Sequence, residues 1–199
     1  MLRNEWHEVS DERLVELSQQ GNLSAFEEIV RRYKDKIFNT VFRIVGRRED
    51  AHEVALDVFV KAYHHLETFR GDARIYTWLY RIAINLAKNR LRDGSRMGRN
   101  LGVSLESMKE DPSTLASSGL QSANSPRNRA EVRELEEMLQ CCLNELPDEL
   151  RTVFVLKVFE DLSYEEISQI MNCPLGTVKS RLNQARSVLR RRLTELSIL

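Results

Sequence analysis

The sequence is poor in the residues that interrupt helices, with only 8 glycines and 4 prolines among 199 residues. It also lacks the alternating runs of Val, Ile and Thr that are typical of half-buried strands. These two absences argue against a sandwich or barrel of short strands. The hydrophobic content of 42% is sufficient for packed cores, and the charged content of 30% suits long exposed helix faces. We therefore predict an all-α protein.

Residues that bind metals or form disulfides are also scarce. The three cysteines, Cys141, Cys142 and Cys173, form no C-x-x-C pair, and their odd number argues against a disulfide framework. The four histidines are scattered along the chain. His64 and His65 are neighbours and would point about 100° apart on a helix, so they cannot chelate together. We predict neither a metal site nor a cofactor.

Long apolar runs are missing as well. None approaches the roughly 20 residues that span a bilayer, and the first ten residues have no signal-peptide pattern. We expect a cytoplasmic protein without direct membrane insertion.

Catalytic patterns are absent too. The sequence has no glycine-rich phosphate loop, no Ser or Cys beside an evident base, and no acidic or histidine group with metal-ligand spacing. We predict that the protein is not an enzyme, and an enzyme acting on nucleic acid is a poorly supported alternative.

The formal net charge of zero conceals two basic blocks. Residues 81–99 contain six Lys and Arg residues against Asp93, and residues 174–199 contain six against Glu195. Acidic residues are concentrated between positions 145 and 166. Two basic blocks in a neutral chain indicate two surfaces that face phosphates, with acidic faces left for a protein partner.

Hydrophobic periodicity predicts four helices in the first half of the chain. They cover residues 11–20, 24–45, 49–68 and 75–92. Ser24 and Glu27 have the spacing of a capping box at the start of the second helix, and Gly46 is predicted to end that helix.

Residues 94–129 differ in composition from the rest of the chain. They are rich in Ser, Gly and Asn and have little helical periodicity, which predicts a flexible linker. Helices resume near residue 130, with breaks at Pro147, at 161–162 and at 173–174. We therefore predict two small helical domains, 1–93 and 130–199, joined by this linker.

The C-terminal domain contains a helix-turn-helix pattern. Ser163 and Glu166 form a second capping box on a short helix, and the turn at 172–176 leads into the next helix. One side of that helix is apolar and is predicted to be buried: Val178, Leu182, Ala185 and Leu189.

The opposite side of the last helix has short polar residues flanked by cations. The polar residues are Ser180, Asn183, Gln184 and Ser187, and the cations are Lys179, Arg181, Arg190 and Arg191. Asn, Gln and Ser can reach base edges in the major groove while Arg and Lys contact phosphates. The pattern predicts a DNA-reading helix, and the alternative is an ordinary solvated amphipathic helix.

The helix at 75–92 likewise has a polar, basic side and an apolar side. Asn85, Lys88 and Arg92 lie within about 40° of Arg81 around the helix axis, and Ile75, Leu79, Ile82 and Leu86 cluster on the other side. Trp78 and Asn89 lie at the edge of the basic stripe.

The loop at 69–73 and Trp78 suit single-stranded DNA, because unpaired bases stack on aromatic rings while cations follow the backbone. The alternative is that Trp78 is a core residue, and periodicity leaves the two interpretations open.

Two segments now show a family resemblance. FRGDARIYTWLYRIAINLAKNRL (69–91) strongly resembles region two of the extracytoplasmic-function sigma factors, the group-four members of the sigma-70 family. LPDELRTVFVLKVFEDLSYEEISQIMNCPLGTVKSRLNQAR (146–186) resembles their region four. The two resemblances occur in the family's order, with a linker of suitable length between them.

The resemblance implies that the first domain recognises and melts the minus-ten promoter element. The loop at 69–73 would capture a base and the helix after it would contact the non-template strand. Trp78, Asn85 and Asn89 would contact bases or assist melting, with Arg81, Lys88 and Arg92 on phosphates. The implied minus-ten residues are Phe69, Arg70, Gly71, Asp72, Ala73, Trp78, Arg81, Asn85, Lys88, Asn89 and Arg92.

The resemblance also implies that the second domain packs on the polymerase beta flap and reads the minus-35 element as duplex DNA. The implied contacts are Thr177, Lys179, Ser180, Arg181, Asn183, Gln184 and Arg186. Asn183 and Gln184 stand where some close relatives have an aromatic residue and an arginine.

Binding to core RNA polymerase is implied for the helix at 49–68, which corresponds to the family's contact with the beta-prime clamp helices. The family usually has a DLVQE-like run here, whereas this chain has Glu53-Val54-Ala55-Leu56-Asp57, with Leu56 in place of the glutamine. The implied polymerase-binding residues are Glu53, Leu56, Asp57 and Lys61.

The resemblance further implies that the linker enters the polymerase near its active-site channel and that an anti-sigma factor masks these surfaces. The free protein is expected to be monomeric. A competing hypothesis is a stand-alone helix-turn-helix regulator, which would bind a palindromic site as a dimer.

Overall fold

The structure of the protein is a computed structural model. It describes the backbone of residues 6, 8–101 and 126–195, and side chains within these ranges except those of 95–131. Its helices are α1 (Asp11–Gln19), α2 (Leu23–Val45), α3 (Arg48–His65), a 3-10 turn (Leu66–Thr68), α4 (Ile75–Leu101), α5 (Pro126–Asn144), α6 (Asp148–Val158), α7 (Tyr164–Met171) and α8 (Leu175–Glu195). The described residues contain no strand, and the all-α prediction is confirmed.

The start of α2 differs from the prediction. Its N-cap is Asn22, whose side-chain oxygen accepts a hydrogen bond from the amide of Ala25 at 3.2 Å. Ser24 therefore lies inside the helix, and the predicted Ser24–Glu27 capping box is wrong. Asn22 lies two residues before Ser24 and caps the helix in its place, because its side chain reaches a free amide of the first turn. The predicted end is confirmed, since Gly46 is left-handed, with φ of 80°.

Both helices next to the predicted linker are longer than expected. α4 continues past Arg92 to Leu101, and α5 begins at Pro126. Glycine inside a helix costs about 1 kcal/mol relative to alanine, so Gly94 weakens α4 without ending it. Proline is favourable in the first turn of a helix, where its missing amide has no partner to lose. The middle of the predicted linker, 102–125, lies outside the described residues.

A charge network holds α1 against α2. The buried carboxylate of Glu28 accepts hydrogen bonds from Arg31 at 2.6 Å and from Arg32 at 2.9 Å. The bonds from Arg31 and then Arg32 outweigh burial and lower the pKa of Glu28 to about 2. Arg32 also donates to Asp11 and to the carbonyl of Trp6. The network therefore fixes the position of α1 on α2.

The second half folds as the local patterns predict. Ser163 and Glu166 form the expected capping box at the start of α7, and Asn172 adopts a left-handed conformation between α7 and α8. The expected side of α8 is buried, namely Val178, Leu182, Ala185 and Leu189. The helix-turn-helix therefore has its own apolar core.

The two halves pack against each other. α2 contacts α5 and α6, and α4 contacts α7. At the centre, the buried guanidinium of Arg151 donates to the carbonyl of Ile44 near the end of α2 and to the carbonyls of Asn144 (3.0 Å) and Leu146 (2.9 Å). The guanidinium of Arg43 lies 4.3 Å from the ring centre of Phe159. The buried apolar residues of both halves form one continuous cluster.

Among the described residues, no helix combines the length and the apolar character needed to cross a bilayer.

Candidate nucleic-acid interface

The outward side of α8 has the composition expected of a reading helix. Five predicted minus-35 residues are exposed: Lys179, Ser180, Asn183, Gln184 and Arg186. Thr177 and Arg181 are half-buried. Because the opposite side of α8 is fixed in the core, these polar groups point away from the protein and form a surface suited to a major groove.

Some of these polar side chains already have protein partners. The guanidinium of Arg181 forms an ion pair with the carboxylate of Glu149 at the start of α6. The ammonium of Lys179 lies 5.8 Å from the ring centre of Tyr164. The hydroxyl of Ser180 donates to the carbonyl of Thr177 at 3.0 Å. Contact with DNA would exchange at least the Arg181 pair for a phosphate.

The basic stripe of α4 lies where the periodicity predicts. Arg81, Asn85, Asn89 and Arg92 are exposed, and Lys88 is half-buried. On the apolar side, Ile75 and Leu79 are buried while Ile82 and Leu86 are half-buried. The side chain of Arg92 donates to the amide oxygen of Asn89. The stripe therefore offers cations and amides on one accessible surface.

The sequence left open whether Trp78 is a core residue or an exposed ring for base stacking, and its position in the structure is intermediate between the two. It is half-buried and packs against the edge of the core. Its ring centre lies 5.1 Å from that of Phe69, with the planes tilted by 44°. Phe69 comes from the predicted capture loop, so the contact places an aromatic pair where the loop meets the basic stripe.

The loop at 69–74 forms one wall of a cleft of about 460 Å³. Arg70, Gly71 and Asp72 are exposed, Ala73 is half-buried, and Gly71 has a φ of 77° that favours glycine. The other wall belongs to α1, through Asp11, Glu12, Val15 and Glu16. The cleft is large enough to receive part of a nucleotide.

Sequence reasoning missed the contribution of α1 to this cleft. The side-chain amide of Gln19 donates to the carbonyl of Leu66 at 2.9 Å and to that of Phe69 at 2.8 Å. Gln19 therefore fixes both ends of the segment that leads into the loop. These partners are 47 and 50 residues away in sequence, so local spacing gives no sign of them.

The outward face of α3 has an apolar strip beside the predicted polymerase-binding residues. Glu53, Leu56, Asp57 and Lys61 are all exposed, as expected for a contact surface. Leu56 is 69% exposed, and Val60 (55%) and Tyr63 (52%) follow it at helical spacing. The prediction did not include Val60 and Tyr63, although their spacing from Leu56 would have indicated them.

In the part of the chain that the structure describes, no group of three His, Cys, Asp or Glu side chains is arranged to hold a metal ion.

Comparison with known proteins matches both halves of the chain. The family model for Sigma-70 region 2 matches residues 29–97, and that for Sigma-70, region 4 matches residues 136–189. The ECF RNA polymerase sigma-E factor of Haemophilus influenzae is 38% identical over 95% of this chain and 98% of its own. The RNA polymerase sigma-H factor of Pseudomonas aeruginosa is 40% identical over 94% of this chain and 95% of its own.

Solved structures support the same fold. CnrH, in complex with the cytosolic domain of CnrY, has a TM-score of 0.66 at 22% identity, covering 93% of this chain and 97% of that one. The sigma factor RpoE of Bartonella quintana, in complex with the anti-sigma factor NepR, has a TM-score of 0.65 at 23% identity, covering 85% and 96%. Both sigma-70 regions, in the same order and with full-length relatives, place this chain in the ECF group of the sigma-70 family of RNA polymerase sigma factors.

Proposed function

We propose that this chain directs core RNA polymerase to promoters by reading duplex minus-35 DNA with α8 and melted minus-ten DNA with α4 and the loop at 69–73. The observation that carries this proposal is the outward orientation of two polar, cation-flanked helix faces in one chain. Asn85 on α4 and Asn183 on α8 are both exposed. No catalytic step is required of the protein.

For the minus-35 element, α8 would lie in the major groove. Asn183 and Gln184 supply amide groups that can pair with base edges, and Lys179 and Arg186 can contact phosphates. The short side chains at the centre of the face allow the helix backbone to approach the bases closely.

For the minus-ten element, the aromatic pair of Phe69 and Trp78 would support an unpaired base beside the cleft. The cations of α4 would follow the phosphates of the non-template strand. Gln19 would position the loop without touching DNA.

For polymerase, we propose the outward face of α3 as the surface that binds the beta-prime clamp helices. Its apolar strip of Leu56, Val60 and Tyr63 lies among charged residues, which is the composition of a binding surface with an apolar centre and a polar rim. Leu56 replaces a polar residue that is usual in the family, so apolar burial would contribute more to this contact. The second half would pack on the beta flap.

We also propose that a dedicated anti-sigma protein masks these surfaces, that the free chain is monomeric, and that it acts in the cytoplasm with polymerase. Family membership supports these points. A chain that co-purifies with no encoded inhibitor when the neighbouring genes are co-expressed would contradict the first of them.

A stand-alone dimeric regulator is not favoured, because such a protein would have an unrelated module in place of the region 2 match at 29–97.

The decisive experiment is in vitro transcription with core polymerase on sheared genomic DNA, followed by mapping of the start sites. We expect defined starts that share sequence elements and that disappear when the protein is omitted. Absence of starts above the core-only background would contradict the proposal.

A pair of variants then tests the polymerase surface. Leu56→Glu should strongly reduce co-elution with core polymerase, because it places a charge in the apolar strip. Val158→Glu changes a similarly exposed apolar side chain on α6 and should retain co-elution through α3. Equal behaviour of the two variants would contradict the assignment to α3.

A further inference from the structure

One cation of the first basic block, Arg90, points away from the stripe on α4. It lies about 180° from Arg81 around the helix axis, at 100° per residue. On this side α4 packs along α3, and the hydrogen bonds of Arg90 run to that helix. Arg90 is therefore separated from the predicted phosphate contacts and lies next to the helix that we propose to bind polymerase.

The guanidinium of Arg90 bridges two carboxylates of α3. Its Nε and Nη2 atoms donate to one carboxylate oxygen of Asp50 at 2.9 Å and 2.6 Å. Nη2 also lies 2.9 Å from a carboxylate oxygen of Glu53. The side chain of Asp50 is 15% exposed, whereas that of Glu53 is 62% exposed. Asp50 is thus the anchored end of the bridge, and Glu53 is the end that a partner protein can reach.

A second cation completes this cluster. Nε of Arg47 lies 3.9 Å from a carboxylate oxygen of Asp50. The two guanidinium groups and the two carboxylates balance, so the cluster has no surplus positive charge for a phosphate. A phosphate at Arg90 would have to displace Asp50 and would lie beside the carboxylate of Glu53, where like charges repel. Its place in the basic block therefore does not make Arg90 a DNA contact.

Glu53 places the cluster at one end of the apolar strip of α3. It precedes Leu56 by three residues, so the two side chains are neighbours on the helix surface, and both are exposed. Protein interfaces commonly have a polar rim around an apolar centre. A flexible carboxylate in such a rim loses rotamer freedom when the partner binds, which weakens binding. Arg90 reduces this loss because it already holds Glu53 in one position.

We propose that Arg90 is a positioning residue of the polymerase-binding surface, where it is anchored on Asp50 and holds the carboxylate of Glu53 ready for the clamp contact. The proposal rests on the proposed binding of polymerase through α3, and it extends that function to a residue of α4. Arg90 acts through Glu53 and not by its own contact with polymerase or DNA.

A double-mutant cycle with the full-length chain and core polymerase tests this role. Arg90→Met should raise the Kd for core polymerase about three- to tenfold, the effect of having to order one flexible side chain on binding. In a Glu53→Ala background the same change should alter the Kd less than about twofold, because the carboxylate that Arg90 positions is absent. Arg47→Met is the matched control, since Arg47 reaches Asp50 alone, and it should leave the Kd unchanged.

Two results of this cycle would overturn the proposal. One is an unchanged Kd for Arg90→Met. The other is the same loss of affinity with and without Glu53, which is expected if Arg90 merely joins α4 to α3.

The salt dependence of promoter binding gives a second readout, measured on preassembled complexes with polymerase. Lys88→Met should reduce the salt slope by about 1, because one phosphate contact is lost. Arg90→Met should keep the slope of the native chain. A reduced slope for Arg90→Met would place this residue on a phosphate and would also overturn the proposal.

Two further variants keep the outcome unambiguous. If Arg90→Met does not fold, Arg90→Lys retains the charge but not the planar fork that bridges two carboxylates. It must then show the same loss of affinity and the same dependence on Glu53. Normal polymerase binding by Leu56→Glu would refute the proposed function of α3 itself. Loss of binding by Leu56→Glu with normal binding by Arg90→Met would refute the role of Arg90 alone.

Discussion

The two helices that we propose to read DNA, α4 and α8, differ in what lies beside them. The polar side of α8 faces outward, and its partners, Glu149 and Tyr164, belong to its own half. The polar side of α4 borders the other half of the chain, which engages Arg81 and places carboxylates opposite Lys88 and Arg92. If both helices contact DNA as proposed, α8 needs little rearrangement, whereas Arg81 of α4 must first exchange its bond with the carbonyl of Gln169.

The largest effect is expected at the joint between the halves. Arg151→Met removes three hydrogen bonds to buried or half-buried carbonyls and should destabilise the protein by about 2–4 kcal/mol. It should also split denaturant unfolding into two transitions, because the bond of Arg151 to the carbonyl of Ile44 is one of the contacts that join the two halves. Circular dichroism and tryptophan fluorescence would measure both.

Arg133→Met provides a control for that variant. Arg133 forms an ion pair with Glu137 on α5, where surface pairs contribute little. A melting curve for Arg151→Met that coincides with that of Arg133→Met would show that the two halves are joined mainly by other contacts.

The next effect concerns Trp78. Replacing it with alanine should impair promoter opening by about 1–3 kcal/mol, the contribution of one stacked base, while closed-complex formation persists. Permanganate reactivity of unpaired thymines would measure opening, and footprinting would measure the closed complex. Trp78→Phe retains a ring and should restore most of the opening. If Trp78→Ala unfolds the domain, the tryptophan is structural and its minus-ten role is refuted.

A smaller effect is expected on α8. Lys179→Ala should weaken binding of the polymerase complex to duplex promoter DNA and reduce the salt slope by about 1, because one phosphate contact releases its counterions. Arg181→Ala should act in the same direction. Arg133→Ala on α5 should leave the slope unchanged. An unchanged slope for Lys179→Ala would remove that residue from the DNA surface.

The smallest effect compares two helical glycines. A Cβ at Gly176 of α8 or at Gly94 of α4 would meet no other atom within 4 Å, and neither has a positive φ. Each change to alanine should therefore stabilise its helix by about 0.5–1 kcal/mol. If the start of α8 lies against DNA, Gly176→Ala alone will also weaken promoter binding. Equal promoter affinity for both variants would place Gly176 away from the backbone of the duplex.

The features that the sequence predicts well are those set by neighbouring residues. The buried side of α8, the Ser163 capping box and the end of α2 at Gly46 follow from helical periodicity or from one turn of chain, and the structure confirms them. The predicted start of α2 was wrong because Asn and Ser are both favourable N-caps. The local sequence does not show whether Asn22 or Ser24, two residues later, takes that position.

The missed features depend on contacts between distant parts of the chain. The hydroxyl of Tyr80 donates a hydrogen bond to the carboxylate of Glu160, 80 residues away in sequence. The side-chain amide of Gln19 donates to the carbonyl of Phe69, 50 residues away. Trp78 is half-buried because Phe69 packs beside it, which the spacing within α4 cannot show. Periodicity identified which residues share a face, whereas the tertiary arrangement decides what covers that face. The assignment of individual residues to DNA contacts remains a prediction.

The connection between α4 and α5 limits how far the two halves of the chain could separate. The 27 residues of α4 form a rod of about 40 Å. A chain of 24 residues, the number between Leu101 and Pro126, can span at most about 80 Å, so the halves would stay within that reach if they separated. Such a tether sets a local concentration on the order of millimolar, far above that of a separate partner. Re-association after such a separation would therefore be a first-order process that dilution or overproduction of the protein does not alter.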